Sequence, residues 1–220
     1  MTNASQILRA AGIACLAVLA SVRPCRAIDA RAQVGVRAPT IVMLGDSVTA
    51  GYGLRAADAL PVQLQAALTR RGVPAKVIAA GVSGDTTADA LARTDFSVPA
   101  GADLCIVELG GNDLLQGVDP KRVQANLADI LRKLKARRIP ALILGIKAPP
   151  AVGAGYAHDF DDAFVAVARA NGAPLYPDWF AGVADKGLRQ ADGIHPNAQG
   201  ARAIAARLAP AVIKALDRRR

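Results

Sequence analysis

The sequence predicts an α/β fold, with a mostly parallel sheet of about five strands and helices on both faces. Short apolar runs alternate along the 220 residues with longer segments whose apolar residues recur at helical spacing. The apolar runs are nearly continuous, which is typical of strands that are covered on both faces. Since no repeat or linker interrupts the pattern, we expect a single domain over residues 33–220.

The strands and helices can be placed in order from their apolar patterns and end signals. Strands are predicted at residues 41–44, 75–80, 103–109 and 141–146, and a short one near Leu175. Helices are predicted at 56–71, from Asp85 or Thr86 through Ala92, from Asp119 through Leu134, at 157–170 and at 196–216. The helix after Asp119 has the clearest start, because an acceptor side chain is followed by proline in the first turn.

The amino terminus is predicted to be a signal peptide spanning residues 1–32. Arg9 is the only charge before an apolar run at 10–22, and small residues follow that run. Thirteen apolar residues are too few for a comfortable membrane span but suit a secretory signal. We expect cleavage after Ala27 or Ala32 and a periplasmic or secreted protein; an uncleaved anchor or a disordered arm is the alternative.

The composition argues against nucleic-acid binding and against a disulfide-rich protein. The formal net charge is +9, but only 4% of residues are aromatic and no nucleic-acid motif is present, which argues against binding DNA or RNA. The charge favours solubility and loose contact with an anionic membrane surface. Cys15 and Cys25 would leave with the signal, and Cys105 lies in an apolar stretch, so no disulfide framework is expected.

The candidate functional residues all lie in loops that follow predicted strands. They are Ser47, Gly84, Asn112 and the segment from Asp192 to His195. Because the carboxyl ends of parallel strands share one edge of a sheet, these loops can converge although they lie far apart in sequence.

A serine nucleophile needs a base, a group that orients the base, and donors for the developing oxyanion. His195 lies three residues after Asp192 in a turn, so the carboxylate can reach one ring nitrogen and leave the other for Ser47. The other histidine, His158, stands beside acidic residues and is predicted to be solvated. Plain turn and cap chemistry is the competing interpretation of the turn.

Three groups are candidate oxyanion donors: the backbone N–H groups of Ser47 and Gly84 and the side-chain amide of Asn112. Glycine at position 84 would allow close approach of an acyl group, although a plain turn or a helix cap explains glycine and asparagine equally well. Asp46 and Asp113 are interpreted as turn acceptors that bond local backbone N–H groups. No His-Glu-x-x-His, Cys-x-x-Cys or clustered Asp-x-Asp motif is present, so neither a metal nor a cofactor is predicted.

Four segments together resemble the sequence blocks of the SGNH (GDSL-type) hydrolases. They are Gly-Asp-Ser-Val at 45–48, Gly84, Gly-Gly-Asn-Asp at 110–113 and Asp-Gly-Ile-His-Pro at 192–196. Their longer flanking strings are similar to the exported acyl-hydrolase branch, which covers thioesterase, lysophospholipase and arylesterase activities. Each block alone is weak evidence for the family, but the four occur in the family's order over residues 40–210.

The resemblance implies a flavodoxin-like three-layer α/β/α fold and a set of roles. Ser47 would be the nucleophile, His195 the base and Asp192 its orienting group, with Ser47, Gly84 and Asn112 as oxyanion donors. The sequence departs from the branch at Val48, where leucine is usual, and in the loop at 147–156. That loop flanks the acyl pocket in the family, so the departure bears on chain-length preference.

The predicted function is therefore a metal-independent serine ester or thioester hydrolase of arylesterase, acyl-CoA thioesterase or lysophospholipase type. Its substrate would be a small-molecule acyl ester or thioester, processed through an acyl-enzyme on Ser47. One alternative is a carbohydrate O-deacetylase on the same triad, although the single Trp179 offers little surface for stacking on sugars. The other is a non-catalytic flavodoxin-like binding module, which would not account for Asp192 and His195.

Overall fold

A computed structural model describes residues 37–183 and 186–218. The predicted signal peptide at 1–32 lies outside the described residues. Within the described ranges, no helix combines the length and the apolar character that crossing a bilayer requires.

The predicted α/β architecture is confirmed. Five parallel strands form one sheet in the order β2-β1-β3-β4-β5. The strands are β1 (Thr40–Gly45), β2 (Lys76–Gly81), β3 (Leu104–Glu108), β4 (Ala141–Leu144) and β5 (Leu175–Tyr176). This order is that of flavodoxin-like sheets, in which the chain reverses direction across the sheet between β1 and β3 and opens a crevice at their carboxyl ends.

The part of the chain that the structure describes contains seven α-helices. They are α1 (Ser47–Ala50), α2 (Leu60–Arg70), α3 (Thr87–Ser97), α4 (Gly111–Gln116), α5 (Pro120–Ala136), α6 (Ala154–Asn171) and α7 (Ala198–Asp217). Three short 3-10 turns lie at Ala56–Asp58, Pro150–Val152 and Lys186–Leu188. The caps follow the sequence signals, since Thr86 accepts from Asp89 N–H and Asp119 accepts from Lys121 N–H.

Several predicted helix boundaries were wrong. The predicted helix at 56–71 is broken by the extended backbone of Ala59. The last helix begins at Ala198 rather than at Pro196, because the Asn197 side chain accepts from the N–H groups of the first turn. The helix predicted to begin at 157 starts at Ala154. Helices α1 and α4 were not predicted, because four and six residues are too few to show periodicity.

The sheet separates two apolar layers. Helices α2 and α7 pack on the face that carries Ile41 and Met43 of β1. Helices α3, α5 and α6 cover the opposite face, which carries Val42 and Leu44. Cys105 of β3 belongs to this second layer, where burial raises the pKa of its thiol to about 12.

The carboxyl end of β2 packs directly on the backbone of the turn that holds Ser47. A Cβ atom placed on Gly81 would lie 2.4 Å from the backbone nitrogen of Ala50 and 2.6 Å from the carbonyl oxygen of Asp46. Backbone atoms cannot swing aside as a flexible side chain can. Gly81 is therefore required by the close approach of two main-chain segments.

We predict that Gly81→Ala lowers the free energy of unfolding by about 3 kcal/mol, because the added methyl overpacks two backbones. Urea denaturation measures this difference. The matched control is Gly155→Ala in the first turn of α6, where an added Cβ would meet no atom within 4 Å. The control should be neutral or slightly stabilising, since alanine is the better helix former. Equal losses in both variants would contradict the close-packing argument.

Candidate active site

Ser47 is held at the start of a helical turn immediately after β1. The Asp46 side chain caps this turn by accepting from Val48 N–H at 3.0 Å. Asp46 thus bonds a local backbone group, as the sequence predicted. Burial raises the pKa of Asp46 to about 6, since its carboxylate lies in the crevice and away from water.

The structure brings Ser47, His195 and Asp192 together in one hydrogen-bonded series. Ser47 Oγ lies 2.8 Å from His195 Nε2, and His195 Nδ1 lies 2.7 Å from Asp192 Oδ2. Because a carboxylate only accepts, Nδ1 carries the ring proton of the neutral imidazole and Nε2 is left to accept from the serine hydroxyl. This is the arrangement that nucleophilic activation of a serine requires.

The turn that carries His195 is fixed by the same carboxylate that contacts its ring. Asp192 Oδ1 accepts the backbone N–H groups of Ile194 at 2.9 Å and His195 at 3.0 Å. The hydrogen bond from the His195 ring and these two backbone bonds lower the pKa of Asp192 to about 2. Asp192 therefore stays ionised throughout the neutral range, and the imidazole keeps one orientation.

Gln190 joins the histidine turn to the serine turn, and sequence reasoning missed it. Its Nε2 donates to the carbonyl of Tyr52 at 2.8 Å and to the carbonyl of Pro196 at 3.0 Å. A Cβ on Gly53 would lie 2.2 Å from Gln190 Oε1, so glycine leaves room for the amide. The Tyr52 ring also packs 4.7 Å from the ring of His195. One side-chain amide thus bridges the two turns that set the Ser47–His195 distance.

Asn112 lies in the first turn of α4, with its amide at the crevice. Its Nδ2 donates to the Asp85 carbonyl at 2.9 Å and has a longer contact of 3.3 Å with Asp46 Oδ2. The helix begins after Gly110, whose φ of +110° lies in the left-handed region that favours glycine. The short bond orients the amide, and the weakly bonded hydrogen is the one available to a ligand.

Asp113 does not act as a local turn acceptor, so that interpretation was wrong. Its buried carboxylate accepts from Thr87 N–H at 2.8 Å and from Thr87 Oγ1 at 2.6 Å, across the crevice from the start of α3. Since α3 begins where the β2 loop ends, Asp113 ties that loop to the one that carries Asn112. A partner 26 positions away gives no signal in a local pattern.

Gly84 is exposed in the β2 loop and is not among the residues that line the cavity beside Ser47. A Cβ at this position would meet no atom within 4 Å, whereas its φ of +91° is a conformation that favours glycine. Backbone conformation therefore accounts for this glycine, and room for an acyl group stays a prediction. Arg93 fixes the base of the loop by bonding both Asp85 and the Gly45 carbonyl.

A cavity of about 360 Å³ opens beside the Ser47 hydroxyl. Ser47, Asn112 and His195 line it together. Most of its wall is apolar, and the apolar lining residues are Val48, Leu114, Leu115, Ile146, Pro149, Trp179, Phe180 and Ile194. Lys147 and Pro149 place the loop at 147–156 beside the cavity, as the resemblance implied. His158 is exposed and faces Asp162 at 3.4 Å, in agreement with its predicted solvated position.

Glu108, the only glutamate in the sequence, is buried behind the serine turn. Its Oε2 accepts from Thr49 Oγ1 at 2.8 Å. Burial, reinforced by the nearby Asp46 carboxylate, raises the pKa of Glu108 well above its ordinary value of 4.5. A Cβ on Gly45 would lie 2.2 Å from Thr49 Oγ1 and 2.7 Å from Glu108 Oε2, so the bonded pair also dictates that glycine.

We predict that Glu108→Gln weakens the pH dependence of stability. Above pH 4.5 the unfolded chain releases a proton that the folded protein keeps at Glu108, so the free energy of unfolding falls as pH rises toward the raised pKa. Glutamine resembles the protonated acid and removes a slope of up to about 1.4 kcal/mol per pH unit.

Urea unfolding at a series of pH values between about 5 and 8 measures that slope. The exposed Asp159→Asn is the control and should retain the slope of the parent protein. Parallel curves for the parent and Glu108→Gln would show that Glu108 has no raised pKa.

The chain is similar to known proteins over most of its described residues. A model of the GDSL-like Lipase/Acylhydrolase family matches residues 43–203. Esterase TesA of Pseudomonas aeruginosa is 39% identical over 164 residues, which cover 72% of this chain and 80% of that protein. Thioesterase 1/protease 1/lysophospholipase L1 of Escherichia coli K12 is 35% identical over 162 residues, covering 73% and 76% respectively.

A solved structure extends the similarity to three dimensions. AlinE4, an SGNH-hydrolase family esterase, matches with a TM-score of 0.68 at 44% identity, over 81% of this chain and 97% of that chain. The family match spans the serine turn, the Asn112 loop and the histidine turn. The chain belongs to the GDSL-like lipase/acylhydrolase family.

Proposed function

We propose that this protein is a serine hydrolase of carboxylic esters and thioesters that works through an acyl-enzyme on Ser47. The observation that carries the proposal is the hydrogen-bonded series from Ser47 through His195 to Asp192, with the serine hydroxyl beside a largely apolar cavity. Relatives named as an esterase and as a thioesterase and lysophospholipase support this reaction class.

In the acylation step, Ser47 Oγ attacks the acyl carbonyl while His195 Nε2 takes the hydroxyl proton. The resulting imidazolium is stabilised by Asp192, whose low pKa keeps it charged. His195 then returns the proton to the leaving alcohol or thiol as the bond to the acyl carbon breaks. Water repeats the sequence on the acyl-enzyme and releases the acid.

The oxyanion formed in each step would lie between the serine turn and α4. The N–H of Ser47 and the weakly bonded hydrogen of Asn112 Nδ2 are proposed donors, since both residues line the cavity. The N–H of Gly84 is the third proposed donor, and this role rests on the resemblance of the four sequence blocks to those of the SGNH hydrolases. Removing one such donor typically lowers turnover by about 10² to 10³.

The cavity favours apolar acyl groups, because its wall is built mainly from aliphatic and aromatic side chains. Arylesters, acyl-CoA thioesters and lysophospholipids all present such a group to the serine. The carbohydrate O-deacetylase alternative is less well supported. Trp179 is 4% exposed and packs in the core, so its ring has little free face on which a sugar could stack.

We also propose that the protein is exported, on the basis of the signal-peptide pattern in residues 1–32. Cleavage after Ala27 or Ala32 would deliver the catalytic domain to the periplasm or beyond. Amino-terminal sequencing of the protein from a fractionated expression host tests this, and a retained cytoplasmic Met1 would contradict it.

We predict that Ser47→Ala lowers kcat for a short-chain nitrophenyl ester by at least about 10³, because the nucleophile is lost. A fluorophosphonate probe, which reacts only with an activated serine, should label the parent protein and leave Ser47→Ala unlabelled. Thr49→Ala is not a suitable control, since Thr49 bonds Glu108. The exposed Ser83→Ala is the matched serine replacement and should remain active and labelled. Labelling of Ser47→Ala would assign the activity to another residue.

We predict that Gln190→Glu lowers kcat about tenfold, because a carboxylate would repel the two carbonyl oxygens that the amide now bridges and would displace His195 from Ser47. KM should change less than kcat, and the melting temperature should fall only slightly. The control is Gln199→Glu, the same substitution on an exposed residue of α7, which should leave kcat unchanged. Unaltered kcat in Gln190→Glu would show that the bridge does not position the histidine.

A further inference from the structure

Exposed apolar side chains are concentrated around the mouth of the active-site cavity. Among the described residues, eight large apolar side chains are exposed, and five of them lie in the segments that follow the carboxyl ends of strands, which are turns, the short helix α4 and the histidine turn. We call these five the collar: Tyr52, Val82, Leu115, Val152 and Ile194. Their exposed fractions range from 41% for Val152 to 66% for Leu115.

Each collar residue comes from a different segment at the same edge of the sheet, and Leu115 is the one that lies on a helix, α4. Leu115 and Ile194 line the cavity itself, and the Tyr52 ring packs on His195. Val82 directly follows β2, where its N–H bonds the carbonyl of Gly45 at the end of β1. Val152 ends the 3-10 turn that follows Pro149, a cavity-lining residue.

Core packing does not explain the collar, because these side chains face solvent. Single exposed apolar residues are ordinary on any protein, but a group arranged around one opening marks an interaction surface. The other three exposed side chains, Val62, Phe96 and Val165, lie on helices α2, α3 and α6 and have no such arrangement.

We propose that the collar docks the enzyme on the surface of a lipid aggregate, so that an acyl chain passes from the lipid phase into the cavity without crossing water. This inference rests on the proposed ester hydrolysis and names the physical form of its substrate. A lipid surface suits the collar because it covers the apolar ring while supplying the group that fills the cavity. A protein seated on the same ring would close the entrance to Ser47.

Charge indicates which lipid surface is favoured. Residues 33–220, which remain after the proposed cleavage after Ala32, hold 23 lysines and arginines against 17 aspartates and glutamates, a formal net charge of +6, and anionic lipids attract basic proteins over a Debye length. Long-range attraction would bring the protein to the surface, and the collar would then insert a few apolar side chains at the level of the head groups. We therefore expect stronger binding to vesicles containing phosphatidylglycerol than to vesicles of phosphatidylcholine alone.

The test uses Val82 and Val152, the two collar residues that neither line the cavity nor pack on His195. In a Ser47→Ala background, which prevents lipid hydrolysis, Val82→Asp with Val152→Asp should weaken sedimentation with phosphatidylglycerol vesicles by about tenfold, because charged groups resist burial among head groups. In the active protein, the same pair should lower hydrolysis of micellar lysophospholipid while hydrolysis of a soluble, monomeric nitrophenyl ester stays unchanged.

The matched control places the same charges away from the collar. Phe96→Asp with Val165→Asp removes two exposed apolar side chains from helices α3 and α6, and it should leave vesicle binding close to that of the parent. If both pairs weaken vesicle binding equally, the change in net charge explains the loss, and docking through the collar is overturned. Unchanged vesicle binding in the collar pair would overturn it as well.

Two further outcomes separate this proposal from its alternatives. If the parent protein forms dimers in sedimentation velocity and the collar pair is monomeric, the collar is a self-association surface and lipid docking is wrong. If the parent protein fails to hydrolyse the soluble ester, the proposed function fails independently of any vesicle result. Vesicle binding that requires the collar, with normal soluble-ester turnover, supports the inference.

Discussion

The hydrogen bond between Ser47 and His195 depends on joining the first strand of the sheet to the turn before the last helix. Parallel strand order brings both segments to one edge, but the edge alone does not set a distance of 2.8 Å. Packing of α7 beside α2 on one face of the sheet brings the histidine turn to the serine turn. The amide of Gln190 then fixes their separation through two carbonyl groups. The catalytic geometry therefore depends on tertiary packing, which positions the serine turn and the histidine turn relative to each other.

Much of the fold could be predicted from sequence because its signals are local. Apolar runs marked strands β1, β3 and β4 most clearly, and glycine or a capping side chain marked several helix ends. The positions of Ser47, Asn112 and His195 at one crevice followed from a single rule, that parallel strands end at a common edge. The four short blocks, taken together, also indicated the family. The roles assigned to these residues rest on chemistry and remain the proposals made above.

The contacts that sequence reasoning missed join residues far apart in the chain. Asp113 bonds Thr87, Glu108 bonds Thr49 and Gln190 bonds Tyr52, and none of these pairs is recognisable from residue type or spacing. The three side chains contribute no motif, yet they determine how the loops of the crevice are held. Helices α1 and α4 escaped prediction because four and six residues span too few turns to show a repeating apolar pattern. Sequence thus identified the reacting groups better than the contacts that support them.

The burial of Cys105 has a practical consequence for studying this protein. It is the only cysteine among the described residues, and with a pKa near 12 it has almost no thiolate at neutral pH. A maleimide reagent should therefore leave Cys105 unmodified and react with a cysteine introduced on the surface. A fluorophore or spin label attached at position 152 would report the polarity at the cavity mouth, without a second signal from the interior of the sheet.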